Sequence, residues 1–222
     1  MTRRLTPAQA VAALRTPPAA AAPAPKAPTA KTTPKAPTGA GQIRIIGGQW
    51  KRTRLSVAQR PGLRPTPDRV RETLFNWLGQ DLVGWRCFDA FAGTGALGLE
   101  AASRGAAAVQ LVENDAALVA QLGVLCQRLQ ATTVQLRRGD GVALLRQCAP
   151  ASLDLVLLDP PFGSDLFEPA LQAAARAIGP QGFIYLEAAS TWSDEALAPL
   201  GLVLQRHLRA GAVHAHLLRL AG

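Results

Sequence analysis

Cysteine and histidine are scarce in this 222-residue chain, three of each, and neither set has the spacing of a metal centre. Cys87, Cys126 and Cys148 form an odd, scattered set, which argues against a disulfide framework and for buried thiols in a reducing compartment, so a cytoplasmic location is expected. His207, His214 and His216 fall around Arg209-Ala210-Gly211 in an expected terminal hairpin with no further ligands, and no metal is assigned. No apolar run approaches the length of a membrane span. Residues 1–42 lack acidic residues and serine altogether while holding thirteen Ala and eight of the seventeen Pro. A stretch so poor in apolar periodicity is expected to be an extended, disordered tail over 1–41. Val11-Ala12-Ala13-Leu14 is too short for a secretory signal; an organellar transit peptide is the better alternative for a basic, acid-free tail, and the missing serine argues against it.

What is present is unevenly charged. The net charge is +9, of which residues 1–42 carry +6 and residues 43–72 another +6, leaving the rest of the chain at −3. Arg44, Trp50, Lys51, Arg52 and Arg54 cluster in one short β-like segment, followed by Arg64 and Arg69. Such a segment suits a polyanion, with bases stacking on the aromatic ring. Thr66-Pro67-Asp68 reads as a helix start with a capping hydroxyl, and Val70, Leu74, Trp77 and Leu78 form its apolar stripe.

Downstream, strand-like segments end at Asp89, Glu113, near Asp140 and at Asp159, with helical stretches between them, including 116–129. Alternating strand and helix implies a parallel sheet, which gathers all four acidic strand ends at one edge, where ligands of open α/β sheets bind. Phe91-Ala92-Gly93-Thr94-Gly95-Ala96-Leu97-Gly98 joins the first of these strands to a helix and satisfies the dinucleotide pattern G-x-G-x-x-G, so a nicotinamide or flavin fold competes. Asp89 weighs against it. A carboxylate just before the glycine loop would repel a pyrophosphate but suits the amino group of S-adenosyl-L-methionine. Asp159-Pro160-Pro161-Phe162 ends an apolar strand with an acceptor, two residues lacking N–H donors and an aromatic ring. That is a slot for a planar base whose exocyclic amine faces Asp159.

These motifs resemble the RsmD family of class I S-adenosylmethionine-dependent methyltransferases. The match runs through Ile43 to Trp50, Gly62-Leu63-Arg64-Pro65-Thr66, Asp68 to Leu78, Asp89 to Ala101 and Asp159 to Phe162, and continues more weakly to the C-terminus. The glycine loop and Asp-Pro-Pro-Phe are shared with many amino-group methyltransferases; the Arg-Pro-Thr and Arg-Glu-Thr-Leu-Phe-Asn-Trp-Leu stretch narrows the family. Phe162 stands where adenine-specific relatives often carry Tyr, and stacking survives without the hydroxyl.

The resemblance implies a Rossmann-like α/β fold with a mostly parallel seven-stranded sheet, a C-terminal antiparallel hairpin, and a small N-terminal β-hairpin and helix. Residues 42–80 would contact RNA and 81–222 would form the catalytic domain. The implied reaction is methylation of the N2 amine of guanine 966 in 16S ribosomal RNA, by a monomer acting on the RNA or on the small ribosomal subunit. Asp159, Pro160, Pro161 and Phe162 would be catalytic. Asp89, Phe91, Gly93, Gly95, Glu113, Asn114, Asp140, Gly141 and Thr66 would hold the cofactor, with Glu113 on the ribose and Asp140 on the adenine amine. A DNA or protein amino-group methyltransferase of the same fold is the alternative, with a dinucleotide oxidoreductase further behind.

Overall fold

The computed structural model describes residues 42–56 and 66–222. The expected tail over 1–41 and Arg64 lie outside the described residues. The chain enters through a short antiparallel hairpin, β1 (Gln42–Arg44) against β2 (Arg54–Ser56), with Ile43 opposite Leu55. Ile43, Ile45 and Leu55 are buried in the core shared with the main sheet, so the hairpin is anchored by its apolar side. Helix α1 (Asp68–Trp77) buries Val70, Leu74 and Phe75, three positions its turn brings to one face.

One expectation fails at the start of α1. Pro67 takes the cap position, no side chain caps the helix, and the Thr66 hydroxyl instead hydrogen-bonds the Glu187 carboxylate. A buried carboxylate has no water to turn to, whereas the first amides of a helix facing solvent do.

The main sheet comprises β3 (Arg86–Asp89), β4 (Ala108–Glu113), β5 (Val134–Arg138), β6 (Leu153–Leu158), β7 (Ile178–Ala188), β8 (Leu202–Ala210) and β9 (Val213–Leu220). Their order is β5-β4-β3-β6-β7-β9-β8. The first five in that order are parallel, and the β8–β9 hairpin closes the sheet antiparallel to β7. The connecting helices are α2 (Ala96–Ser103), α3 (Ala116–Leu129), α4 (Gly141–Arg146), α5 (Phe167–Ala177) and the short α6 (Asp194–Leu197). Strand β6 is apolar on both faces because helices cover both. Leu155 and Leu157 enter the core that holds α1 and α2, while Val156 and Leu158 enter the one that holds α5. From β3 the chain builds outward through β4 and β5, then returns to the other side of β3 with β6. The reversal opens a crevice at the C-terminal ends of β3 and β6.

Buried charge ties the hairpin and α1 to α2. Glu100, fully buried on α2, accepts the Ile46 and Gly47 amides, each at 2.7 Å, and pairs with Arg104 at 2.9 Å and Arg71 at 3.4 Å. Ser103 Oγ donates to the Gly47 carbonyl at 2.6 Å and accepts the Trp50 amide at 2.9 Å. The helix that begins at the glycine loop therefore also carries the basic hairpin.

Cys87 is buried as expected, but Cys126 and Cys148 are only half-buried. The histidines do meet on the β8–β9 hairpin, where His207 Nε2 and His214 Nδ1 lie 3.0 Å apart. His216 is fully buried, its Nε2 accepting the Trp192 amide at 3.1 Å, and burial first of all pushes its pKa down to about 4. Both ring nitrogens of His216 serve the backbone, since Nδ1 meets the Leu186 carbonyl at 3.2 Å. Among the described residues no helix is long and apolar enough to cross a membrane.

Candidate active site

Asp89 ends β3 with its side chain only 1% exposed. Its Oδ2 accepts the Gly98 amide at 3.0 Å, and its Oδ1 has no hydrogen-bond partner. Burial pushes the carboxyl up to about 7 against the pull of the Gly98 and Phe91 amides, and the nearby Glu113 and Glu187 charges push the same way as burial. An orphaned, reluctant anion at a sheet edge calls for a cation. The ammonium of S-adenosylmethionine has that charge.

The glycine loop is shaped for close approach. Gly95 starts α2 in the left-handed region, φ 79°, and a Cβ there would run into Leu99 and Leu122. Glu113, ending β4, holds the loop: Oε2 accepts the Gly93 amide at 2.8 Å and Oε1 accepts the Asp115 amide at 2.8 Å. Each oxygen keeps a second lone pair for a hydroxyl donor such as a ribose. Phe91 is half-buried against the core on the α5 side, and Asn114 is exposed beside Glu113, its carbonyl accepting Arg138 Nε at 3.3 Å.

Asp140 is exposed and caps α4, with Oδ1 on the Ala143 amide at 3.0 Å. Gly141 packs directly on the Ala90 carbonyl, where any Cβ would collide, so contact between α4 and the end of β3 already accounts for that glycine. Thr66 is buried against Glu187, on the opposite face of the sheet from α4.

Asp159 stands one residue beyond β6. It is half-buried, and among the described residues it makes no hydrogen bond. Its pKa lies well above the usual carboxylate range, raised by burial first, then by Glu187 and Asp89. Pro160 is buried, Pro161 is exposed, and the chain turns through Gly163 with the Ser164 amide on the Pro161 carbonyl at 3.2 Å. Phe162, three residues after the acid, is 40% exposed, a large ring left facing solvent.

Sequence reasoning missed Glu187 and Tyr185. Glu187 is 2% exposed on β7 and accepts Tyr185 Oη at 2.8 Å. The available signal was a lone acid at the end of the apolar run Phe183-Ile184-Tyr185-Leu186, the same pattern that marked the other strand ends.

Of the basic residues expected to meet RNA, Arg44, Lys51, Arg52 and Arg54 lie on or between the strands of the hairpin and Arg69 on α1. Lys51, Arg52, Arg54 and Arg69 are exposed. Arg44 is exposed but faces Asp68 at 3.7 Å. The Trp50 ring is partly buried against the core, which leaves less of it for a base than expected.

The family model described as conserved hypothetical protein 95 matches residues 43–219. Ribosomal RNA small subunit methyltransferase D of Escherichia coli K12 is 49% identical over 131 residues, covering 59% of this chain and 66% of that protein. The protein of the same name from Haemophilus influenzae is 39% identical over 156 residues, covering 68% of this chain and 81% of its own length. The solved structure of the Escherichia coli yhhF protein superposes with a TM-score of 0.69 at 39% identity, covering 81% of this chain and 98% of the other.

The strand order, the reversed final strand and the acid-lined edge make this a class I methyltransferase fold. The chain belongs to the ribosomal RNA small subunit methyltransferase D family, known as RsmD.

Proposed function

We propose that the chain transfers a methyl group from S-adenosylmethionine to the exocyclic N2 amine of a guanine in 16S ribosomal RNA, at position 966. The observation that carries this reading is Asp159, an acid without a hydrogen-bond partner among the described residues, followed by Pro160-Pro161 and the exposed ring of Phe162. The names of the relatives support ribosomal RNA as the substrate class.

The residues present fit the donor. Asp89 Oδ1 would take its ammonium, the loop from Gly93 to Gly95 its methionine end and Glu113 its ribose, with Asn114 and Asp140 at the adenine side. When bound there, S-adenosylmethionine supplies a methyl made electrophilic by its sulfonium.

The protein's own part is positioning. A guanine amine is a poor nucleophile because its lone pair is delocalised into the ring. Asp159 and the Pro160 carbonyl accept its two hydrogens, which favours a pyramidal nitrogen with the lone pair free for attack. Phe162 stacks on the base, which must leave any duplex stack to reach it. The exposed Lys51, Arg52, Arg54 and Arg69, with Arg44, hold phosphates beside the site. Arg64, outside the described residues, belongs to the same basic segment.

The test is transfer of labelled methyl from S-adenosylmethionine to small-subunit RNA, DNA and protein in parallel. Label on the guanine amine of RNA is the expected result. Label confined to DNA or protein would overturn the substrate.

A further inference from the structure

We propose that Glu187 is a positioning residue for this reaction, set beside Asp159 to make that carboxylate a stronger acceptor for the amine's hydrogens and for the proton the amine sheds. The inference rests on the function proposed above. It begins from strand register. Leu158 of β6 is paired with Leu186 of β7, so Asp159 and Glu187 each stand one residue further along neighbouring parallel strands. Such strands run about 4.8 Å apart, which puts both acids side by side at the same edge.

Glu187 is surrounded by groups that favour its charged form. Tyr185 Oη donates to Oε1 at 2.8 Å, the Thr66 hydroxyl donates from ahead of α1, and the buried Arg71 guanidinium acts on it from α1. Burial pushes the Glu187 carboxyl up and stays the largest influence, and these three partners pull it part of the way back. Asp159 has no such help. It faces Glu187 on β7 and Asp89 on β3, both acids, and among the described residues no hydrogen bond offsets them. Arg71 is itself shared among Glu100, Asp68 and Glu187.

The asymmetry has a chemical use. As the amine nitrogen bonds the methyl carbon, the carbon–sulfur bond breaks and its electron pair stays on sulfur. The nitrogen is then cationic. One N–H bond breaks, its electron pair returns to nitrogen, and the proton passes to an Asp159 oxygen. A carboxylate beside a second carboxylate accepts that proton more readily than an isolated one. The other consequence is that a resting Asp159 keeps its proton to higher pH than an ordinary carboxylate, and the rate falls on that acid side.

Glu187 could instead serve only to satisfy Tyr185 and Arg71, and the pH dependence separates the two roles. Turnover at saturating S-adenosylmethionine and RNA is measured against pH for wild type, Glu187→Gln and Tyr185→Phe, with cofactor affinity by calorimetry. The Asp159 carboxyl is titrated by carbon-13 NMR in the same proteins without ligands. Glu187→Gln should lower the plateau rate by on the order of tenfold, move the acid limb to lower pH and bring the Asp159 midpoint down towards the ordinary carboxylate range. Its dissociation constant for S-adenosylmethionine should change by less than the rate does, because Glu187 reaches the cofactor site only through its charge on Asp89. Tyr185→Phe removes a donor from Glu187, which then holds a proton more often, so the Asp159 midpoint should fall again, by less.

A folded Glu187→Gln variant with an unmoved Asp159 midpoint would overturn the proposal, as would a loss of rate with no displacement of the acid limb. If Glu187→Gln does not fold, an unmoved midpoint in Tyr185→Phe overturns it equally. A wild type that methylates no RNA would refute the proposed function instead, and the ligand-free NMR titration would still decide whether the two carboxyls are paired.

Discussion

The Glu113 carboxylate accepts the Gly93 amide at 2.8 Å across twenty residues of sequence, so the end of β4 fixes the glycine loop that begins after β3. The same side chain takes the Asp115 amide at the start of α3. One acid therefore sets the position of the loop and, in the proposed reading, is the acceptor for the cofactor's ribose.

Glu113→Ala should weaken S-adenosylmethionine binding far more than it slows turnover at saturating cofactor. Hydrogen bonds to a charged group are worth roughly 1.5–3 kcal/mol each, less what water recovers. Titration calorimetry checks this; an unchanged dissociation constant would remove Glu113 from the cofactor site.

Asp159→Ala should leave cofactor affinity close to wild type and lower turnover by on the order of a hundredfold or more, the usual effect of deleting a positioned polar group. Single-turnover methylation measures it. A near-normal rate would exclude Asp159 as the acceptor of the amine.

Asp89 gives a pH dependence with a definite sign. Its folded pKa of about 7 exceeds the ordinary 3.8. The unfolded chain thus loses this proton first, and the folded state binds more protons between those values. Asp89 therefore costs stability as pH rises through that window, and the loss levels off above about 7. A cation placed at Oδ1 should expel the proton. Calorimetry below neutral pH, in buffers of different ionisation enthalpy, should show proton release when S-adenosylmethionine binds, and Asp89→Asn should abolish it.

Glu100→Ala should cost about 3–5 kcal/mol of stability, because it takes the carboxylate from the buried Arg104 and the acceptor from the Ile46 and Gly47 amides, while Arg71 keeps Asp68 at 2.6 Å. Denaturant unfolding measures the loss. The basic hairpin should also be held less firmly on α2, with Ser103 as its remaining clasp, seen as faster amide exchange at Ile46 and Gly47.

Replacing Arg44, Lys51, Arg52 and Arg54 together should weaken RNA binding and flatten its dependence on salt, by somewhat under one unit of log–log slope for each phosphate no longer neutralised. Cofactor affinity should not change. Binding with wild-type affinity and slope would place the RNA elsewhere on the protein.

Much of this architecture is legible in the sequence. The alternation of strand and helix and the acids at strand ends follow local periodicity, and the parallel sheet gathers them without further information. What stays hidden depends on contacts between distant segments. Thr66 looks like a helix cap because the local pattern fits one, yet its hydroxyl goes to Glu187 on β7. Glu100 looks like one more polar residue of a helix, and only its docking against Ile46 and Arg71 reveals it as the clasp of the N-terminal hairpin. Gly141 fits a cofactor role, while its collision course with the Ala90 carbonyl supplies a packing reason that no motif shows. Trp50 looks free to stack on a base, but its ring is partly taken up by the core.

The central claim is the identity of the methylated atom, and one measurement addresses it most directly. Small-subunit RNA from a strain lacking this gene, and from the same strain carrying wild type or Asp159→Ala, is digested and mapped by mass spectrometry. The account predicts an N2-methylguanine at position 966 that is absent in the deletion, restored by wild type and not restored by Asp159→Ala. The same nucleotide methylated in the deletion strain, or restoration by the Asp159 variant to the wild-type level, would contradict it.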